Sequence, residues 1–136
     1  MQFRPRSVLL FIPLAWVVSS CGGNAMHYDT ATHALMTCSG ATLTSVFVEG
    51  TDGKDFYHLE KRPGSAGSAR LRLDQLDGSY VVSGGDGRPR PTGVRLRPNT
   101  SYRISTVSNG DAASSDVLVK TAADALINEG SPTACR

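Results

Sequence analysis

The stretch Val94–Val107, "VRLRPNTSYRISTV", decides how the rest of the chain is read. Val94 and Leu96 alternate with Arg95 and Arg97. After Pro98-Asn99-Thr100, Tyr102 and Ile104 alternate with Arg103. A two-residue period places successive side chains on opposite faces of a pleated strand, here aliphatic or aromatic on one face and charged on the other. Proline and asparagine between the runs supply a fixed φ and a tolerated left-handed residue, which is turn chemistry. The stretch therefore predicts strand, turn, strand, each with one buried face.

The same period runs outward in both directions. Thr42, Thr44, Val46 and Val48 share one face, with Leu43 and Phe47 on the other. Tyr57 and Leu59 alternate with Phe56 and His58 between Asp55 and Lys61. Ala69, Leu71 and Leu73 alternate with Arg70, Arg72 and Asp74. Tyr80 and Val82 follow Leu76-Asp77-Gly78, and Val117 and Val119 alternate with Asp116, Leu118 and Lys120. Turn chemistry separates the runs at Gly50-Thr51-Asp52-Gly53, Pro63-Gly64-Ser65, Gly84-Gly85-Asp86-Gly87 and Asn109-Gly110-Asp111. Short alternating runs between turns predict an all-β, antiparallel sandwich or barrel of about seven strands. Ala122–Glu129, "AADALINE", has helix-forming composition and predicts a short C-terminal helical tail.

The segment Val94–Ala122 resembles the second half of a fibronectin type III domain: Leu96, Pro98, Thr100 and Tyr102 fall in the family's Leu-x-Pro-x-Thr-x-Tyr order. The resemblance implies an immunoglobulin-like sandwich. Tyr102 would be its corner tyrosine, hydroxyl tied to nearby main chain, and Leu96, Tyr102 and Ile104 would be core. The family's tryptophan on the second strand has no counterpart, because Trp16 is the sole tryptophan and lies near the N-terminus. Domains of this kind mostly present surfaces or act as spacers, so the resemblance implies no catalytic site.

The N-terminus has a different character. Arg4 and Arg6 precede an apolar run from Ser7 to Val18, then two small residues. That order is a secretory leader, too short for a membrane span of about 20 residues. Val18-Ser19-Ser20-Cys21 resembles the bacterial lipobox. The resemblance implies cleavage before Cys21, acylation of that residue, and a lipid anchor in the cell envelope. Gly22 is not the aspartate associated with inner-membrane retention, so the outer membrane is expected. The division that follows is a leader over 1–20, a lipidated N-terminus and tether over 21–33, and a β-sandwich over 34–136. With Cys21 bound to lipid, Cys38 and Cys135 remain as a pair in an oxidising compartment. Their disulfide would close a loop of about 100 residues, on the order of 4.7 kcal/mol in the chain-entropy account.

Charge narrows the function classes. The chain of 136 residues has 14 Lys+Arg against 12 Asp+Glu. Loss of Arg4 and Arg6 with the leader evens the count, so a global pull toward nucleic acid is not expected. The distribution is uneven, with Arg70, Arg72, Arg88, Arg90, Arg95, Arg97 and Arg103 crowding the middle. Guanidinium forks suit carboxylates and phosphates. These arginines, with loops 84–93 and 109–114, are the candidate binding residues. An acidic envelope protein, an anionic glycan or a lipid headgroup would fit them.

Other chemistry is thinly represented. His27, His33 and His58 lack the spacing of converging metal ligands, and no metal or cofactor is expected. Glu49, Asp52 and Asp55 crowd one turn without an EF-hand pattern. Gly64-Ser65-Ala66-Gly67-Ser68 is out of register with a nucleophile elbow. The expectation is a non-enzymatic, membrane-anchored protein that presents its sandwich to another envelope protein or assembly. Binding of anionic glycans or lipid headgroups is the alternative.

Overall fold

A computed structural model describes residues 25–107 and 114–130. Cys21, Cys135 and the turn at 109–111 lie outside these residues, as do the leader and the proposed Cys38–Cys135 pairing. The described residues form nine strands and no helix: β1 (Met26–Asp29), β2 (Ala34–Thr37), β3 (Ser45–Gly50), β4 (Phe56–Lys61), β5 (Arg70–Leu71), β6 (Tyr80–Gly84), β7 (Ser101–Val107), β8 (Ser114–Thr121) and β9 (Ile127–Glu129). They make two antiparallel sheets, one ordered β1-β2-β5 and the other β6-β4-β3-β7-β8-β9.

The alternation read from the sequence becomes the inner faces of the two sheets. Val46 and Val48 of β3, Leu59 of β4, Tyr80 and Val82 of β6, Tyr102 and Ile104 of β7, and Val117 and Val119 of β8 are buried. They meet Met26, Tyr28, Leu35 and Leu71 from the smaller sheet in one apolar cluster. Register fixes this arrangement, since a one-residue slip would turn every aliphatic side chain of a strand to water. The central pairings are Val48 opposite Ile104 and Ile104 opposite Val117.

Three expectations are corrected. Ala122–Glu129 is not helical: Ala122 to Leu126 make a tight turn, with Ala122 N–H donating to the Leu126 carbonyl, and Ile127–Glu129 join the sheet beside β8. Ile127 is 3 % exposed, so burying it against the sheet outweighs a weak local helix preference. Part of the stretch read as a tether is strand. Met26–Asp29 pair with β2, and Met26 and Tyr28 enter the core. Their polar neighbours obscured a four-residue alternation. Val94–Arg97 is not a ladder strand, although Val94 is buried and Arg95 exposed as the period requires. Leu73 likewise lies beyond the two-residue β5 yet is buried.

Three phenols fasten the irregular segments to the larger sheet. Tyr57 Oη donates to the Arg95 carbonyl at 2.8 Å, and Tyr80 Oη to the Leu43 carbonyl at 2.8 Å. Tyr102 Oη accepts from the Arg97 amide at 2.8 Å. A tyrosine suits this task because its ring fills core volume while its hydroxyl satisfies a main-chain group at the margin.

Candidate functional site

The outward face of the six-stranded sheet departs from the usual polar exterior. Phe47 of β3 lies opposite His58 of β4, and the two rings stack at 4.5 Å between centroids with 9° between planes. Phe56 tilts toward Phe47 at 6.1 Å and 41°. Ser45 Oγ and His58 Nε2 are 2.8 Å apart, which ties the imidazole in place. Register extends this cluster into two rows. Ser83, His58, Phe47, Ser105 and Asp116 form one, and Phe56, Glu49, Arg103 and Leu118 form the next. Phe56 is exposed and joins Phe47 and His58, while Val81 and Leu118 are exposed apart from them on the same face. Grouped aromatic side chains on a surface are more informative than scattered ones, because grouping offers desolvation to a partner. The arrangement supplies ring faces, hydroxyls and one guanidinium on one sheet face.

The arginines of the middle block do not gather onto one surface. Arg97 is clamped by two carboxylates: Nε donates to Asp55 Oδ2 at 2.6 Å, and Nη2 to Asp52 Oδ2 at 2.7 Å. Arg72 pairs with Asp74 at 2.8 Å. Arg90 pairs with Asp86 at 3.1 Å, and Arg88 approaches the same carboxylate at 4.0 Å. Arg70, Arg95 and Arg103 have no ion pair among the described residues. Arg103 stands on the outer face of the larger sheet, while Arg70 stands on β5 of the smaller one and Arg95 on the unpaired segment. Sequence proximity misled here, because only Arg70 and Arg103 lie on strands, in different sheets, and the other five stand in loops and unpaired segments. Loop 84–93 forms a hairpin arm beside β6, with Arg90 N–H donating to the Val82 carbonyl. Of the loop at 109–114, residues up to 113 lie outside the described ones.

The acidic turn is occupied by its own chain. Hydrogen bonds from Arg97 and then the Lys54 amide hold the Asp52 carboxyl below the usual carboxylate range. The Arg97 guanidinium is in turn held more firmly protonated by Asp52 and Asp55. A Cβ at Gly50 would stand 2.9 Å from Asp52 Oδ1, so a side chain there would displace that carboxylate from Arg97. Glu49 points to the outer sheet face beside Arg103 instead. Ser65 bonds the Arg62 carbonyl at 2.9 Å and is a turn residue. The Ser45–His58 pair has, among the described residues, no carboxylate bonded to the imidazole. It lacks the third group that orients a general base.

Two clefts open between the sheets' irregular margins. One of about 510 Å³ lies between the Leu73–Gly78 turn and the Pro89–Val94 arm. The other, of about 370 Å³, is walled by Tyr28, His33, Leu73, Leu96, Leu126 and neighbouring residues. Burial raises the Tyr28 phenol to about 12. Neither cleft was legible in the sequence. His33 and Leu126 come from turns that carry no motif, and only folding brings them together.

Comparison with protein-family models, with curated proteins and with solved structures finds no match. The molecule is thus defined by its own architecture: an all-β body of two antiparallel sheets with an aromatic outer face.

Proposed function

We propose that this chain is a lipid-anchored, non-enzymatic protein of the bacterial cell envelope whose fibronectin type III-like sandwich presents a face to another envelope protein. The observation that carries the reading is the Phe47–His58–Phe56 cluster on the outer face of the six-stranded sheet. Aromatic anchors beside an arginine, here Arg103, are the composition of interface centres. The anchor rests on the lipobox-like Val18-Ser19-Ser20-Cys21 and the leader before it.

The family reading has two further supports. A sheet of the first, second and a middle strand faces a sheet containing the third strand and the two late ones, as in immunoglobulin-like sandwiches. The Tyr102 hydroxyl bonds main chain five residues upstream, in the manner of a corner tyrosine. β6 is an addition beside β4. The dispersal of the arginines favours a protein partner over an anionic polymer, since four of the seven already face carboxylates.

The test places a photo-crosslinking amino acid at Phe56 in the full chain within its native cells. A discrete adduct with one envelope protein, lost in Phe47→Ala and in Arg103→Glu, is expected. The Cys21→Ser variant should move from membrane to soluble fraction. A ladder of unrelated adducts, unchanged by either substitution, would reject the face as an interface.

A further inference from the structure

The extended segment Val94–Leu96 has main-chain groups that the fold leaves unused. Every buried amide and carbonyl needs a partner, so the destination of each can be followed. The Arg95 carbonyl accepts from Tyr57 Oη, the Arg97 amide donates to Tyr102 Oη, and the Arg97 carbonyl accepts from Thr121 Oγ1. Odd-numbered residues therefore turn their main chain toward the larger sheet. In an extended chain the even-numbered ones turn theirs the other way. Among the described residues, the N–H and C=O of Val94 and of Leu96 find no partner.

The cleft of about 370 Å³ runs beside this segment. Its walls hold two of the three non-glycine residues with positive φ, His33 at 51° and Ala125 at 65°. Both close the short turns that lead into β2 and β9, as Asn99 closes the turn before β7, so the cleft's wall is built from hairpin turns. His33 Nδ1 is also buried without a hydrogen-bond partner in this wall. The cleft's floor is apolar, formed by Leu73, Leu96 and Ile127. Its acids are engaged, Asp74 by Arg72 and Asp124 by the Leu126 amide. Arg95 is the exposed charge left at the mouth.

We propose that this groove receives an extended segment of a partner polypeptide, which pairs by main chain with Val94 and Leu96, seats an apolar side chain on the floor and places an acidic one at Arg95. Strand addition draws affinity from main-chain hydrogen bonds and specificity from alternate side-chain pockets, and this groove offers both. An unpaired strand edge is otherwise a hazard that folds cover. The inference is independent of the aromatic face, which lies on the outside of the larger sheet.

The test selects displayed random heptapeptides on the full chain, with Leu126→Trp as the counter-selection. Leu126 is 42 % exposed, so tryptophan there fills the groove without entering the core. An unchanged melting temperature and circular dichroism spectrum confirm that the variant folds. Enriched peptides should be rich in β-branched residues with one acidic position. They should lose at least tenfold in affinity when alternate amides are N-methylated, and bind Leu126→Trp at least tenfold more weakly. Arg95→Glu should weaken them and favour lysine-bearing sequences. Failure to enrich any peptide against the counter-selection overturns the proposal, as does tolerance of N-methylation at every position. A concentration-dependent dimer of the chain alone, abolished by Leu126→Trp, would assign the groove to a second copy and overturn the partner reading.

Discussion

The Tyr102 hydroxyl lies 2.8 Å from the Arg97 main-chain nitrogen and accepts a hydrogen bond from it, while donating one to Asp55 Oδ2 at 2.8 Å. The same Asp55 oxygen accepts from Arg97 Nε at 2.6 Å. One fully buried ring thus ties the turn before β7, the acidic loop before β4 and the guanidinium between them into a closed network. Tyr102→Phe keeps the ring and removes only the hydroxyl. It leaves the Arg97 amide unpaired and should cost about 1–3 kcal/mol. Urea unfolding with an unchanged slope would show that the loss is one of stability alone.

Core and outer face respond differently to truncation. Ile104 is wholly buried between β3 and β8, so Ile104→Ala should destabilise by about 2–5 kcal/mol. Leu118, on the same sheet but 58 % exposed, should change stability by no more than about 0.5 kcal/mol when replaced by alanine. Thermal melts of the two variants compare them directly. Equal losses would mean that the inner and outer faces have been exchanged.

Acid should unfold the protein through its aspartates. The Asp52, Asp74 and Asp86 carboxyls are held low in the folded state. For Asp52 and Asp74 an arginine hydrogen bond is the first cause, and for Asp86 it is the Arg88 amide. A depressed folded value means that the unfolded chain binds protons first as pH falls. The stability these groups contribute is present above about pH 4 and is lost below it. Asp52→Asn should flatten the acid limb of a plot of stability against pH. Raised salt should flatten it further, since these pairs are partly exposed.

Alkali acts in the opposite sense through the phenols. Burial raises Tyr28 to about 12 and also lifts Tyr80 and Tyr102 above 10. Between these values and 10 the folded state holds more protons than the unfolded one, so stability falls as pH rises through that window. Absorbance of tyrosinate should appear in two phases, the later one coinciding with loss of β-sheet ellipticity. Tyr28→Phe should delay the unfolding.

How far the sequence could be read depended on the length of each alternating run. The runs in β3, β4, β7 and β8 cover several side chains per face, and their registers put the expected aliphatics inside. The two-residue β5 and the segment Val94–Arg97 kept the burial period but not the ladder, because side-chain alternation says nothing about whether a neighbouring strand is within reach. "AADALINE" went astray because local helix preference is worth little against burial of Ile127. Thr121 was legible only as the threonine that ends the last strand of the fibronectin-like pattern. Yet its hydroxyl accepts from the Thr100 amide at 2.9 Å and donates to the Arg97 carbonyl, joining the end of β8 to the turn before β7.

By itself the sequence determined an all-β body with one face of each long strand buried, since a period of two admits no other placement of those aliphatics. It also determined the order of residues that makes Tyr102 a tie to its own turn. Tertiary structure alone decided which arginines are neutralised, that Phe47 and His58 stack on the outside, and that Val94 and Leu96 border a groove. These outcomes depend on pairings between residues far apart in the chain, such as Arg97 with Asp52 and Phe47 with His58. Strand order sets those distances, and no local pattern encodes strand order.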